Sequence, residues 1–267
     1  MNLREIITDA IKFPISDTRK FLIFCALIIL MSLSVVLPSY GLKNSTVAII
    51  LSLVTFIVLF VVLGYLMEVI KGGVENEDTL PDFDYVKQFV IGIKAMILEI
   101  IYFIIPAVIV IIIASATGLF SSFTEIIYVG IDSLANETTN MTTIIAAVPK
   151  STMNTFTNAL SVTLTAAIIL FIIFSLLSFT ALVRFAKFES GTEGLRFIEI
   201  LKDMKNIGFL KIILTLIVIY LIVLVMVLIV GLIGLIPYIG VFIGIFVAIP
   251  FILLFLYRAI GLLYADA

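Results

Sequence analysis

Histidine and tryptophan are absent from this 267-residue chain, cysteine occurs once, and only 13% of residues are charged. Without histidine there is no imidazole to move a proton near neutral pH or to ligate a metal. A single thiol, Cys25, excludes an internal disulfide and a thiolate metal cluster alike. Cys25 falls inside the first apolar run and reads as a packed side chain. The formal net charge of −2 gives nucleic acid nothing to bind. No phosphate-binding Gly-rich loop, G-x-S-x-G or H-E-x-x-H motif occurs. The sequence therefore nominates no catalytic residue, no cofactor and no metal site. The acidic run Glu75, Glu77, Asp78, Asp82 and Asp84 lacks calcium-loop spacing and reads as a solvated linker.

What the chain has instead is hydrocarbon. It is 63% hydrophobic, with a mean hydropathy of +1.34, against about 45–50% apolar for a soluble domain. Charge-free stretches run over Phe21–Leu42, Asn44–Met67, Ile100–Thr124, Ser151–Val183 and Ile212–Tyr257. A spanning helix needs roughly 20 residues, so the first four stretches give one span each. The last, as one helix, would be about 69 Å long and must fold back. "GLIGLIPYIG" offers the turn, through Gly231, Gly234, Pro237 and Gly240. The expectation is an all-α polytopic membrane bundle of six spans, near 21–40, 47–69, 95–115, 161–183, 212–235 and 239–258. Acidic residues before Phe21 and the lack of a small-residue cleavage site argue against a signal peptide.

Basic residues set the expected orientation. With both ends on one side, that side holds Arg4, Lys12, Arg19, Lys20, Lys71, Lys87, Lys94, Arg184, Lys187, Arg196, Lys202, Lys205, Lys211 and Arg258. Only Lys43 and Lys150 lie opposite. Positive charge stays inside, so N- and C-termini are expected in the cytoplasm of a multi-pass cell-membrane protein. The sequons at Asn44, Asn136 and Asn140 then face outward, as candidate N-glycosylation sites or as ordinary loop polarity.

Three segments carry apolar residues at helical spacing on one face and charge on the other. They are Leu3, Ile6, Ile7, Ala10 and Ile11; Phe83, Val86, Phe89, Val90 and Ile93; and Phe197, Ile198, Leu201, Met204 and Ile207. Each reads as an amphipathic helix on the cytoplasmic leaflet, followed by an outward and an inward span. Three hairpin units follow: 1–70, 71–184 and 185–267. The second contains a long outer loop, about 116–160, expected as a partly folded cap. Phe123, Ile126, Ile127, Ile131 and Leu134 suggest an interfacial helix there, and "TTIIAAVP" is too short to span.

Few residues bear chemistry inside the spans. Glu99 lies one turn before Tyr102, with Arg184 and Lys211 as candidate partners for its carboxylate. It reads either as a substrate or proton site or as a carboxylate reaching interfacial water. Pro106 and Pro250 are candidate kinks, and Gly240 with Gly244 forms a small-residue pair suited to close helix packing. The spans are otherwise Leu, Ile, Val and Phe with isolated hydroxyls, which weighs against a wide aqueous path.

Several turn residues carry a resemblance. Gly64-Tyr65 ends a span, Leu80-Pro81-Asp82-Phe83 follows an acidic linker, Gly92 precedes the next span, Pro106 lies within it, and "YRAIGLLY" closes the chain. This pattern resembles a family of archaeal and bacterial membrane proteins called domain of unknown function 4013. The resemblance implies membrane location and an archaeal origin, with no activity attached. The expected role is non-enzymatic, organising or binding membrane lipid or partner proteins. The alternative is a small-molecule or ion transporter with a site near Glu99, Arg184 and Pro106.

Overall fold

Hydrocarbon leaves a spanning backbone nowhere to bond but within itself. The computed structural model of the chain is accordingly helical, and no strand occurs among the described residues, which are 2–39, 41, 44–135, 140–236 and 239–265. The helices are α1 (Leu3–Lys12), α2 (Thr18–Ser39), α3 (Ser45–Val74), α4 (Tyr85–Ala116), α5 (Leu119–Ala135), α6 (Met141–Ala147), α7 (Lys150–Phe188), α8 (Phe197–Ile207), α9 (Phe209–Ile233), α10 (Ile239–Ile243) and α11 (Ile249–Leu263). Six segments are long and apolar enough to cross a membrane: Thr18–Pro38, Ser45–Val74, Tyr85–Ala116, Lys150–Phe188, Phe209–Ile233 and Gly244–Leu263.

The spans fall where the charge-free runs put them, but several helices are longer. α7 has 39 residues, about 58 Å at 1.5 Å each, against roughly 30 Å of hydrocarbon. Apolar length decides what crosses; helix length is decided by where a turn residue stops the backbone.

The middle amphipathic segment differs from expectation. It is no separate helix: α4 runs unbroken from Tyr85 into the third span. Its apolar stripe is also divided, since Phe83 and Phe89 meet Tyr65 and Phe60 of α3 while the two valines face outward. Val86 is 77% exposed and Val90 45%, whereas Gln88 and Gly92 are buried against α3. In lipid the apolar face needs no protein cover, so small and polar residues take the protein-facing side. α1 and α8 do stand alone. α1 buries Ile6 and Ala10, and α8 buries Ile200, Met204 and Ile207. Phe197, Ile198 and Leu201 of the expected α8 stripe are exposed. Gly208, at φ +97°, separates α8 from α9 in a conformation that side chains resist.

Pro106 sits inside α4 without interrupting it. Pro250 falls in the first turn of α11, directly after a π-helical stretch, Gly244–Ala248. The wider turn accommodates the ring and the missing N–H. The reversal before it ends α9 at Ile233, with Gly234 as cap. Pro237 and Tyr238 lie outside the described residues.

By packing, the chain forms two units, Met1–Glu99 with Leu177–Ala267, and Ile100–Leu176. In the first, α11 packs on α3, α2, α1 and α9. Its core holds Phe24, Ile28, Val62, Tyr65, Leu80 and Leu254. Tyr65 stacks on Phe24 (ring centres 5.2 Å apart) and on Phe83 (4.4 Å). The acidic linker is thereby tied down: Leu80 is buried, its carbonyl accepts from Lys20 Nζ at 2.7 Å, and Lys20 pairs with Asp82 at 2.8 Å. That hydrogen bond holds the Asp82 carboxyl below its ordinary pKa.

The second unit contains α5 and α6. α5 confirms the expected helix, with Phe123, Ile127, Ile131 and Leu134 left uncovered by protein. "TTIIAAVP" forms α6, seven residues long. Phe123 stacks on Phe156 at 6.1 Å, and Phe103 meets Phe171 at 6.2 Å. Two sequon asparagines act as helix N-caps. Asn44 accepts from the Thr46 and Val47 amides, and Asn140 accepts from Thr142. Asn-X-Thr ahead of an apolar run is also an N-cap signal, which accounts for both. Asn136 lies outside the described residues.

Candidate functional site

The polar side chains of the larger unit gather at the basic-rich ends of the spans. Three of these spans, α3, α7 and α11, end in a charged residue followed by further apolar residues: Glu68, Arg184 and Arg258. Each reaches a side chain of another segment.

Arg258 is the most enclosed, at 1% exposure. Its Nε donates to Asp9 of α1 at 2.7 Å, and its Nη1 donates to the Gly72 carbonyl of α3 at 3.0 Å. The guanidinium lies over the Phe13 ring, 4.4 Å from its centre. A planar, weakly hydrated cation suits such a place, because aromatic stacking and directed hydrogen bonds replace its lost water. α1 is thus held against α3 and α11 by one buried charge.

Arg184 does the equivalent for α8. Nη1 donates to Asp203 at 2.6 Å and Nη2 to Glu193 at 2.7 Å, while the group lies 5.3 Å from the Phe188 ring centre. Asp9 stands three residues after buried Ile6 and one before buried Ala10; Asp203 stands three after buried Ile200 and one before buried Met204. One helical register therefore presents both carboxylates beside the packed face.

Glu68 reverses the polarity. It accepts from Gln88 Nε2 at 2.6 Å and pairs with Lys87 at 3.2 Å, both at the start of α4. Gln88 is fully buried and donates also to the Asp82 carbonyl at 2.9 Å. Lys87 and Lys71 both meet Glu189, at 3.4 and 2.7 Å. Glu189 sits just past α7 at φ +51°, a strained position for a residue with a side chain, so its two ion pairs offset a backbone cost. The hydrogen bond from Lys71 holds the Glu189 carboxyl below its ordinary pKa. A cavity of about 10 Å³ beside Glu68, Lys71 and Glu189 has room for one water at most.

Close helix contact makes these pairings possible. A Cβ on Gly64 would lie 1.8 Å from the Gln88 carbonyl oxygen, and one on Gly92 would lie 1.9 Å from that of Phe60. Each glycine receives the backbone of the partner helix, so α3 and α4 cross with their main chains nearly touching. Gln88 then reaches Glu68 directly.

A larger cavity, of about 220 Å³, opens beside Arg184. Thr180, Val183, Lys187, Phe188, Asp203 and Tyr264 complete its wall. The Thr180 and Tyr264 hydroxyls are buried and hydrogen-bonded to one another at 2.7 Å.

The residues nominated from sequence are placed differently. Glu99 is half-buried on α4 and has no hydrogen-bond or ion-pair partner among the described residues. Arg184 is engaged with Asp203 and Glu193, so it does not serve Glu99. Tyr102 is buried one turn further along α4. Among the described residues no group of three or more His, Cys, Asp or Glu side chains is arranged to hold a metal. Asp9, Glu68, Gln88, Asp203 and Arg258 were missed as site residues. The test that picked out Glu99, a charge with apolar residues on both sides, picks Glu68 and Arg258 equally well.

A family model described as protein of unknown function (DUF4013) matches residues 47–235. The chain belongs to this family. No curated protein and no solved structure matches. The stretch matched to DUF4013 contains the Glu68–Lys87 and Arg184–Asp203 pairs; Asp9, Arg258 and the closing Tyr257–Tyr264 segment lie outside it.

Proposed function

We propose that this DUF4013 protein is a non-enzymatic membrane protein that binds and orders lipid at the cytoplasmic leaflet, with both termini in the cytoplasm. The observation carrying this reading is that α1 and α8 are clamped in place through Asp9 and Asp203 while their outer apolar side chains stay uncovered. Ile11 is 40% exposed, Ile198 71% and Leu201 49%. A helix so fixed holds a constant apolar contour against acyl chains and headgroups. The absence of histidine and the burial of the one cysteine support a binding role over catalysis. We propose further that the three couplings reflect three related hairpin units. The first unit's inward span ties to the second unit's leading segment, the second's to the third's, and the third's back to the first's.

Lipid extracted with the purified full-length protein is expected to be enriched in one headgroup class over the bulk membrane. Bulk composition, with no co-purifying partner, would remove the support for this reading. Orientation is tested by cysteine labelling in a Cys25→Ala background. Glu77→Cys is expected to react only after permeabilisation and Asn140→Cys in intact cells; the reverse pattern overturns the topology. A transport site at Glu99 has less support, because the arginine it would need is already paired.

A further inference from the structure

The geometry points to a site for one anionic phospholipid headgroup on the polar face of α1, with Arg4, Thr8 and Lys12 as its donors. These residues recur at every fourth position, so they form one row along the helix, about 6 Å from each to the next. Side chains four apart are surface neighbours, and the two cations therefore flank the Thr8 hydroxyl. An open groove of about 420 Å³ lies against the row, with Glu5 and Asp9 completing its wall.

The acceptors in that wall are engaged, and the donors are not. Glu5 closes a capping box: one carboxylate oxygen accepts from the Asn2 backbone N–H at 2.9 Å and the other from the Asn2 side-chain amide at 2.8 Å. Asp9 accepts from the buried Arg258 at 2.7 Å. Arg4, Thr8 and Lys12 are exposed and make no hydrogen bond or ion pair among the described residues. Arg4, Lys12 and Arg258 against Glu5 and Asp9 leave one net positive charge at the groove. α8 differs, since its Lys202 pairs with Glu199 on the same helix at 2.8 Å, and Arg196 just before it pairs with Glu193 at 2.8 Å.

The occupant follows from the adjoining row. Leu3, Ile7 and Ile11 repeat at the same interval one position earlier; Leu3 and Ile11 are exposed and Ile7 is half-buried. An apolar row beside a cationic one places acyl chains along the first and headgroup phosphate along the second. Guanidinium, ammonium and hydroxyl all donate to phosphate oxygens. The net positive charge repels the ammonium of a zwitterionic headgroup and attracts an anionic one.

The site deepens the lipid reading and rests on it for the source of the phosphate. The test uses full-length protein in nanodiscs of four-to-one phosphatidylcholine and phosphatidylglycerol at about 0.15 M salt, with retained lipid read by native mass spectrometry. Wild type is expected to retain one phosphatidylglycerol. Arg4→Gln and Lys12→Gln are each expected to weaken retention about fivefold and Thr8→Val about threefold, while Lys12→Arg keeps it. Lys205→Gln removes the same charge from the exposed side of α8 and is expected to leave retention unchanged. Unchanged thermal midpoints in pure phosphatidylcholine show that the variants are folded. Equal weakening by Lys205→Gln, or phosphatidylglycerol enrichment that survives in Arg4→Gln and Lys12→Gln, would overturn the groove and leave the lipid reading standing. A parallel titration uses glycerol phosphate in detergent. Binding there that is lost in Lys12→Gln, with no lipid preference in wild type, would overturn the headgroup as occupant in favour of a soluble phosphate ester. Wild type showing no preference in the nanodiscs and no binding in detergent would overturn the site altogether.

Discussion

Gly92→Ala is expected to lower the thermal midpoint of the purified protein by roughly 10 °C, corresponding to about 3 kcal/mol of overpacking. The added methyl would stand 1.9 Å from the Phe60 carbonyl oxygen, a backbone atom with no rotamer to escape into. α3 and α4 must therefore separate along their whole crossing. Separation stretches the Gln88–Glu68 hydrogen bond, 2.6 Å in the intact protein, and the edge-to-face contact of Phe60 with Phe89 at 5.6 Å. Gly64→Ala acts at the same crossing, so the double variant is expected to fall short of the sum. Gly191→Ala, where nothing lies within 4 Å of the new methyl, serves as the control and should leave the midpoint unchanged. Size-exclusion thermostability in detergent reads all four. A midpoint for Gly92→Ala equal to that of Gly191→Ala would show that the two helices do not approach this closely.

Asp9→Leu is expected to cost about 3–5 kcal/mol, because it leaves a fully buried guanidinium without its counter-charge. Arg258→Met alone should be milder: Asp9 is 31% exposed and recovers water. The informative variant is the pair together. Replacing both ions by apolar side chains removes the unpaired charge as well as the attraction, so the double variant should be more stable than Asp9→Leu. The exposed counterpart gives the scale. Lys87→Met breaks the pairs with Glu68 and Glu189 from a lysine that is 45% exposed, and about 1 kcal/mol or less is expected there. If Asp9→Leu and Lys87→Met had equal effects, burial would not be what gives the Arg258 pair its weight.

Legibility in the sequence followed the physics of lipid. The spans were readable because a charge inside hydrocarbon is so costly that charge-free length alone reveals them; Phe21–Leu42 became Thr18–Pro38 and Ile212–Tyr257 split in two. α1 and α8 were readable from their periodicity, and α5 from the spacing of Phe123, Ile127, Ile131 and Leu134. The facing of α4 was not. Periodicity locates an apolar stripe but says nothing of whether protein or lipid covers it, and here Val86 and Val90 face away while Gln88 faces in. Glu99 and Arg184 stood out singly by charge; that Arg184 belongs to Asp203 and Glu193 depends on where α8 lies.

Membrane residence, helical class and the six crossings were settled by composition and by the length of uncharged runs, since these depend on transfer of local segments into hydrocarbon. Which charges meet, which helix faces are covered, and the existence of a cavity beside Arg184 were settled only by tertiary packing. Asp9 and Arg258 are joined at 2.7 Å across nearly the whole chain, and no local preference encodes a contact of that separation.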